Sequence, residues 1–295
     1  MSVVDPNAKA HKDLVKCLEK KQAIMERLAE IKERVTNLPS SCLSEAFQEH
    51  IGIVLTYYDL RDHFGTSDKV YFIPYAGRLF PTIPWDEAKL FDFDPSPRRE
   101  TYHIHRNLDK ILAYLTPVKE IWTERKFFGD NVQIGEDFRA FYHWYVVKEA
   151  DAQGDSEKTH CTLRVLQYTE PEELLMRSEV LSALTYMMHK LTYKCYKDQT
   201  IFPVLITSIF PSKVRILQVY FDGEDLHFSK THIYDLKENH HQTYTLLARW
   251  GYPIPCGDLK TVNIRGRKLS TAMMEQVEDW KEEQEATNMD GSPDK

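Results

Sequence analysis

The chain opens with a heptad pattern. Leu14, Lys21, Leu28 and Val35 fall at one seam position and Cys17, Ile24, Ile31 and Leu38 at the other, so seven of the eight are apolar or Cys. Around them stand Glu19, Lys20, Glu26, Arg27, Glu30, Lys32, Glu33 and Arg34, the mixed charges of a solvated face. The spacing predicts a helix of about 30 residues, ~45 Å long, ended by Pro39. Such a stripe either folds back on the rest of the chain or forms a coiled coil with a partner or a second copy. In the second case the interaction surface is Leu14, Ile24, Leu28, Ile31 and Val35, within residues 9–38, and Lys21 in the seam weakens self-association.

Ser40 and Ser41 offer caps for a second helix over residues 43–63, where Phe47, Ile51, Val54, Leu55 and Tyr58 share one face. The two helices would make an αα-hairpin. Residues 69–99 change character: Pro74, Pro81, Pro84, Pro95 and Pro97 interrupt an otherwise aromatic run, which predicts an ordered irregular wrap. Helical spacing returns at Ile104, Leu108, Ile111, Leu112 and Leu115, and Thr116-Pro117 reads as the start of another helical turn carrying Ile121 and Trp122.

The period then shifts from helical to alternating. Residues 138–147 and 159–169 read as two strands around a polar loop. Thr169-Glu170-Pro171-Glu172 matches a capping box and predicts a helix to about residue 196. Residues 202–210 and 213–221 read as strands, Asp222-Gly223 as a hairpin turn into a strand over 225–234, and residues 242–250 and 269–285 as helices. Residues 286–295 are expected to be a disordered tail. The fold class is α+β: an N-terminal helical hairpin or coiled coil over residues 1–65, then a mixed sheet with packed helices over 66–285, its sheet core within 137–235.

Composition narrows the function by exclusion. With 42% hydrophobic residues, 14 Phe, 16 Tyr and 5 Trp, the chain has material for a core, and its net charge of -7 argues against a main affinity for nucleic-acid backbones. Cys17, Cys42, Cys161, Cys195 and Cys256 have neither zinc nor redox spacing and read as reduced thiols, placing the protein in the cytoplasm or nucleus. The N-terminus lacks a secretory h-region, and the longest uncharged stretch, residues 200–212, is too short to span a membrane. Phosphate-loop, dinucleotide, α/β-hydrolase and zincin motifs are missing from the sequence.

Some residue groups nonetheless carry chemistry. His103 and His105 would share one side of an extended segment, with Asp92 and Asp94 as nearby carboxylates, and His240-His241 is a second imidazole pair. Two ligands do not make a site, and no cofactor is read from them. The aromatic run Phe138, Phe141, Tyr142, Trp144 and Tyr145 reads as core rather than as a pocket. Lys260, Arg265, Arg267 and Lys268 form the best local anion-binding candidate.

From Asp137 to Asp235 the order strand, loop, strand, helix, strand resembles the core of the PD-(D/E)XK nuclease-like fold. The strand Pro-Val-Leu-Ile-Thr-Ser-Ile-Phe, the hairpin Lys-Val-Arg-Ile-Leu-Gln-Val-Tyr-Phe-Asp-Gly and Arg249-Trp250 are also similar to a group of uncharacterised filamentous-fungal proteins, some of which carry degenerate copies of that fold. The resemblance implies an acidic residue at Asp137, Gln167-Tyr168-Thr169 at the metal-binding triplet, Glu120 or Glu124 on a preceding helix, and Arg177 as a migrated cation. Thr169 stands where the family has its lysine, so the implied catalytic set Asp137, Gln167 and Arg177 is degenerate. The expected function is association by a non-catalytic or catalytically degenerate protein. The alternatives are a divalent-metal-dependent enzyme of nuclease fold using Mg²⁺ or Mn²⁺, and an accessory or tailoring protein of a fungal secondary-metabolite pathway.

Overall fold

The computed structural model describes residues 6–60, 69–75, 80, 82–88, 90–114, 122–125, 144–152, 158–196, 198–238 and 240–290. The elements in chain order are α1 (Pro6–Thr36), β1 (Cys42–Leu43), α2 (Glu45–Ile51), β2 (Ile53–Tyr57), β3 (Phe72–Ile73), α3 (Trp85–Ala88), α4 (Pro97–Ala113), β4 (Trp122–Arg125), β5 (Trp144–Ala152) and β6 (Cys161–Gln167). They continue as β7 (Leu175–Met176), α5 (Arg177–Leu191), β8 (Val204–Phe210), β9 (Lys213–Phe221), β10 (Leu226–Lys230), β11 (Tyr234–Asp235), α6 (His240–Gly251), β12 (Ile254–Pro255) and α7 (Thr271–Asp290). The protein is α+β.

The heptad stripe of α1 is consumed inside the molecule. Ile24, Leu28, Ile31 and Val35 join the main core, and α1 packs along α5. Toward its N-terminus the stripe changes partner: Leu14, Val15 and Leu18 pack with Met273 and Val277 of α7. The predicted interaction surface is therefore not open to a partner, because burying those side chains against α5 and α7 removes them from water within one chain. Lys21 follows the same seam inward, where its ammonium donates to the carbonyl of Tyr196.

The expected αα-hairpin does not form. Ser44 caps α2 by accepting from the Phe47 N–H at 3.3 Å, and the helix stops after about two turns at Gly52, whose φ of 75° lies in the left-handed region. A Cβ there would stand 2.9 Å from Asp225 Oδ1, so glycine serves both the turn and the close approach. Ile53-Val54-Leu55-Thr56-Tyr57 then enters the sheet beside β10, as its β-branched and aromatic content favours. One core cluster takes in residues from Ile24 to Val262, so α1, β1, α2 and β2 share it with the rest of the sheet.

The main sheet has the order β2-β10-β9-β8-β6-β5-β4, with β11 also paired to β9. β2 runs parallel to β10 and β6 parallel to β8; the other neighbours are antiparallel. Every residue of β8 is buried, as expected of a strand covered on both faces. α5 begins at Arg177, not after Thr169. Leu175 and Met176 first pair with β1, which keeps the backbone extended, and the Glu179 carboxylate then accepts the Met176 N–H at 2.9 Å. Trp122 starts a strand rather than a helical turn, and α7 continues to Asp290, beyond the expected start of the tail.

Candidate functional site

Gln167 ends β6 and is fully buried. Its side-chain oxygen accepts from Ser178 Oγ at 2.6 Å, its amide nitrogen donates to Ser208 Oγ at 3.2 Å, and its carbonyl accepts from Thr101 Oγ1 at 3.3 Å. Ser182 extends the chain of hydroxyls by donating to the Ser178 carbonyl at 2.7 Å. The carboxamide is thus tied to α5 and β8 by neutral bonds. Arg177 is also buried, but its guanidinium donates to the Leu38 carbonyl and its N–H to the Ser41 carbonyl, fastening α5 to the segment after α1. Gln167 and Arg177 are directed at different partners and form no shared site. Asp137 and Glu120 lie outside the described residues, and Glu124 falls in β4.

The histidine pairs separate. His103 and His105 sit on α4, not on an extended segment, and two residues along a helix point to opposite sides. His103 stacks on Phe91 at 4.9 Å between ring centres, whereas His105 is buried, with its Nδ1 2.8 Å from Arg164, which also binds Asp109 at 2.7 Å. His241 stacks on Trp85 at 4.3 Å, while His240 meets Phe93 and Tyr244 edge-on. Asp94 accepts the Ser96 N–H at 2.8 Å, a turn bond ahead of α4. Among the described residues no group of three or more His, Cys, Asp or Glu side chains could hold a metal ion.

A charged centre stands where sequence reasoning named none. Arg215 of β9 and Glu179 of α5 are both fully buried and form a bidentate pair, Nε to Oε1 at 2.7 Å and Nη2 to Oε2. Two further guanidinium N–H groups reach the Glu172 carbonyl at 2.7 Å and the Leu174 carbonyl at 3.0 Å. On β10, the Lys230 amine is fully buried and has no hydrogen-bond partner among the described residues. Its nearest carboxylate is the exposed Glu173 at 3.9 Å, and it lies 4.8 Å from the centre of the Tyr57 ring. Burial first, and then the Arg215 charge, hold this amine below the ordinary lysine range. The strand period carries a signal: Arg215 shares its face with Leu217 and Val219, and Lys230 with Phe228 and Leu226, all of them apolar neighbours.

A solvent-open groove of about 1060 Å³ lies between α1, the β9–β10 turn and residues 264–268. The last segment is pinned against α1. The Arg267 N–H donates to the Glu19 carbonyl at 2.9 Å and Lys20 to the Val262 carbonyl at 3.2 Å, and a Cβ on Gly266 would come within 2.8 Å of Glu19 Cβ. At the turn, Gly223 has φ 106° and Asn263 donates its N–H to the Asp222 carbonyl at 3.1 Å. Burial alone would raise the Asp222 carboxyl, yet bonds from the Asp225 and Glu224 N–H groups and from His227 bring it below its usual value. Arg265, Arg267 and Lys268 line the groove as the basic cluster predicts, while Lys260 turns away to Asp198 at 3.2 Å. Glu26, Glu30, Glu224 and Asp225 line it too, so its walls carry both signs of charge.

Among the described residues no helix is long and apolar enough to cross a membrane. Comparison of the chain with protein-family models, with curated proteins and with solved structures found no match.

Proposed function

We propose that this protein acts by association, as a catalytically degenerate or non-catalytic chain, and that it does so through the polar side of α1 rather than its apolar seam. The observation that carries this reading is the groove. Its charged walls are held by backbone bonds between residues 262–268, α1 and the β9–β10 turn, so the side chains of Arg265, Arg267 and Lys268 are presented without a folding step. Preorganisation of this kind lowers the ordering cost of binding. Alternating charge suits a polypeptide segment of mixed sign better than a nucleic-acid backbone, which needs one sign throughout. The reading extends to the cytoplasm or nucleus as the place of action.

The test uses the full chain, because Leu28→Asp or removal of residues 1–38 would damage the core instead of a docking face. Arg265→Glu, Arg267→Glu and Lys268→Glu are combined in one variant, and proteins bound to it in cells are compared with those bound to the parent chain. Loss of a specific partner together with an unchanged melting temperature supports the groove. An identical set of partners refutes it.

A second reading has one observation in its favour. The chain order β5, β6, α5, β8, with β5 antiparallel and β8 parallel to β6, follows the strand, strand, helix, strand order of the nuclease-like resemblance. Under that reading Asp137 and Gln167 would serve a Mg²⁺- or Mn²⁺-dependent reaction on nucleic acid. The hydroxyl network around Gln167 weighs against it, since both ends of the carboxamide are already bonded. Metal-dependent cleavage of DNA or RNA that disappears in Asp137→Ala would establish it.

A further inference from the structure

The Arg215–Glu179 pair satisfies itself, and Lys230 is the group left over. Lys230 lies on β10 opposite Leu217 of β9, two residues from Arg215 on the same face, which places the two cations under one layer of side chains. The single buried carboxylate of this centre, Glu179, is engaged at both oxygens by the guanidinium. Glu173, at 3.9 Å, is two-thirds exposed and screened by water. An amine removed from water beside a fixed cation is driven toward its neutral form, and the neutral form has a free lone pair. The cover over it is thin. The Tyr57 ring stands 4.8 Å above the amine and is itself 46% exposed on β2, at the end of the sheet order.

We propose that Lys230 is a nucleophilic amine that forms an imine with small carbonyl compounds admitted past the Tyr57 ring. A lysine desolvated next to another cationic group is one of the two settings in which this side chain becomes a Schiff-base nucleophile. The nitrogen lone pair adds to the carbonyl carbon and forms the C–N bond. The proton that leaves nitrogen is taken up by the former carbonyl oxygen, giving a carbinolamine, and loss of water leaves the C=N double bond. No oxidant or reductant is required. The chemical class is set by the burial: the amine is closed off from solvent, so only an aldehyde of a few atoms can pass when the Tyr57 ring swings aside, and a bulky or polyanionic carbonyl compound cannot.

The experiment treats the full chain at neutral pH with limiting propanal and cyanoborohydride, which reduces the imine to a stable secondary amine, and maps propylated lysines by peptide mass spectrometry. Lys213, whose amine is held above its ordinary value by Glu170, and Lys281, paired with Glu278 at 2.8 Å, are the internal references. The expected result is several-fold higher early occupancy at Lys230 than at either reference. Tyr57→Ala, a change at a half-exposed position whose folding is checked by circular dichroism, should raise it further, and urea should abolish the preference. Occupancy at Lys230 equal to or below that of the references in the folded parent chain overturns the proposal, whatever Tyr57→Ala does.

Discussion

Two buried polar centres lie on one face of the sheet, a strand apart. The first gathers Gln167, Ser178 and Ser208; the second gathers Glu179, Arg215 and Lys230. They touch through the register of β8 and β9, where Ser208 stands opposite Arg215, and through α5, which supplies Ser178 to one and Glu179 to the other. The first is neutral, and every side-chain atom of Gln167 able to bond has a hydroxyl partner. The second is charged and, among the described residues, carries one more cation than buried carboxylate, with the surplus amine unbonded. A closed neutral network holds helix to sheet and leaves nothing for chemistry. An unbalanced one stores the cost of a desolvated charge, and that cost makes a side chain reactive.

Four variants sharpen this contrast. The largest effect is expected from Glu179→Gln, which strands the Arg215 charge in the interior. Stability to urea should fall by roughly 3–5 kcal/mol, the range for breaking one partner out of a buried pair. Gln167→Leu should cost about 1–3 kcal/mol, because Ser178 and Ser208 lose their partner. Placing Gln167→Leu together with Ser178→Ala and Ser208→Ala should recover part of that loss, since removing all members of a neutral network is milder than removing one. No recovery would mean that the hydroxyls have work beyond Gln167.

The smallest effect carries the opposite sign. Lys230→Met removes the surplus charge and should stabilise the fold by about 1 kcal/mol at neutral pH. The pH dependence follows from the direction of its shift. With the folded-state value below the ordinary 10.5, the unfolded chain binds more protons at this amine between the two values, so its contribution to stability rises with pH through that window. Lys230→Met should flatten the rise measured by urea melts at increasing pH. Lys21 and Lys32, also held down by burial, add slope of the same sign, while Cys42, Tyr58, Tyr71 and Tyr244, held up by burial, add slope of the opposite sign, so the comparison is between the variant and the parent chain. A steeper rise in the variant would reverse the assignment of charge in this centre.

The candidate site was only partly legible beforehand. The basic cluster at Arg265, Arg267 and Lys268 was visible as a local run of charge, and it lines the groove, but the carboxylates that face it come from α1 and the β9–β10 turn, far away in sequence. Gln167 was singled out because a resemblance needed a residue there, and its hydroxyl partners sit 11 and 41 residues further along the chain. Beyond their apolar face-mates, nothing local marks Lys230 and Arg215 as buried, because a long cation near the end of a strand is normally solvated. Their burial depends on α5 and β2 arriving above them.

What the sequence by itself determined was local. The period of α1, the strand over Lys213–Phe221 and the turn at Asp222-Gly223 all follow from side-chain spacing and φ preference, interactions that close within a few residues. The tertiary structure alone decided which faces meet. It turned the α1 stripe onto α5 and α7, stopped α2 at Gly52 so that Ile53–Tyr57 could pair with β10, and delayed α5 until Leu175 and Met176 had paired with β1. Periodicity states that a face is apolar, whereas the identity of its cover depends on contacts between segments more than a hundred residues apart, such as β1 with β7 and β2 with β10. The unbalanced charge around Lys230 is a product of those contacts.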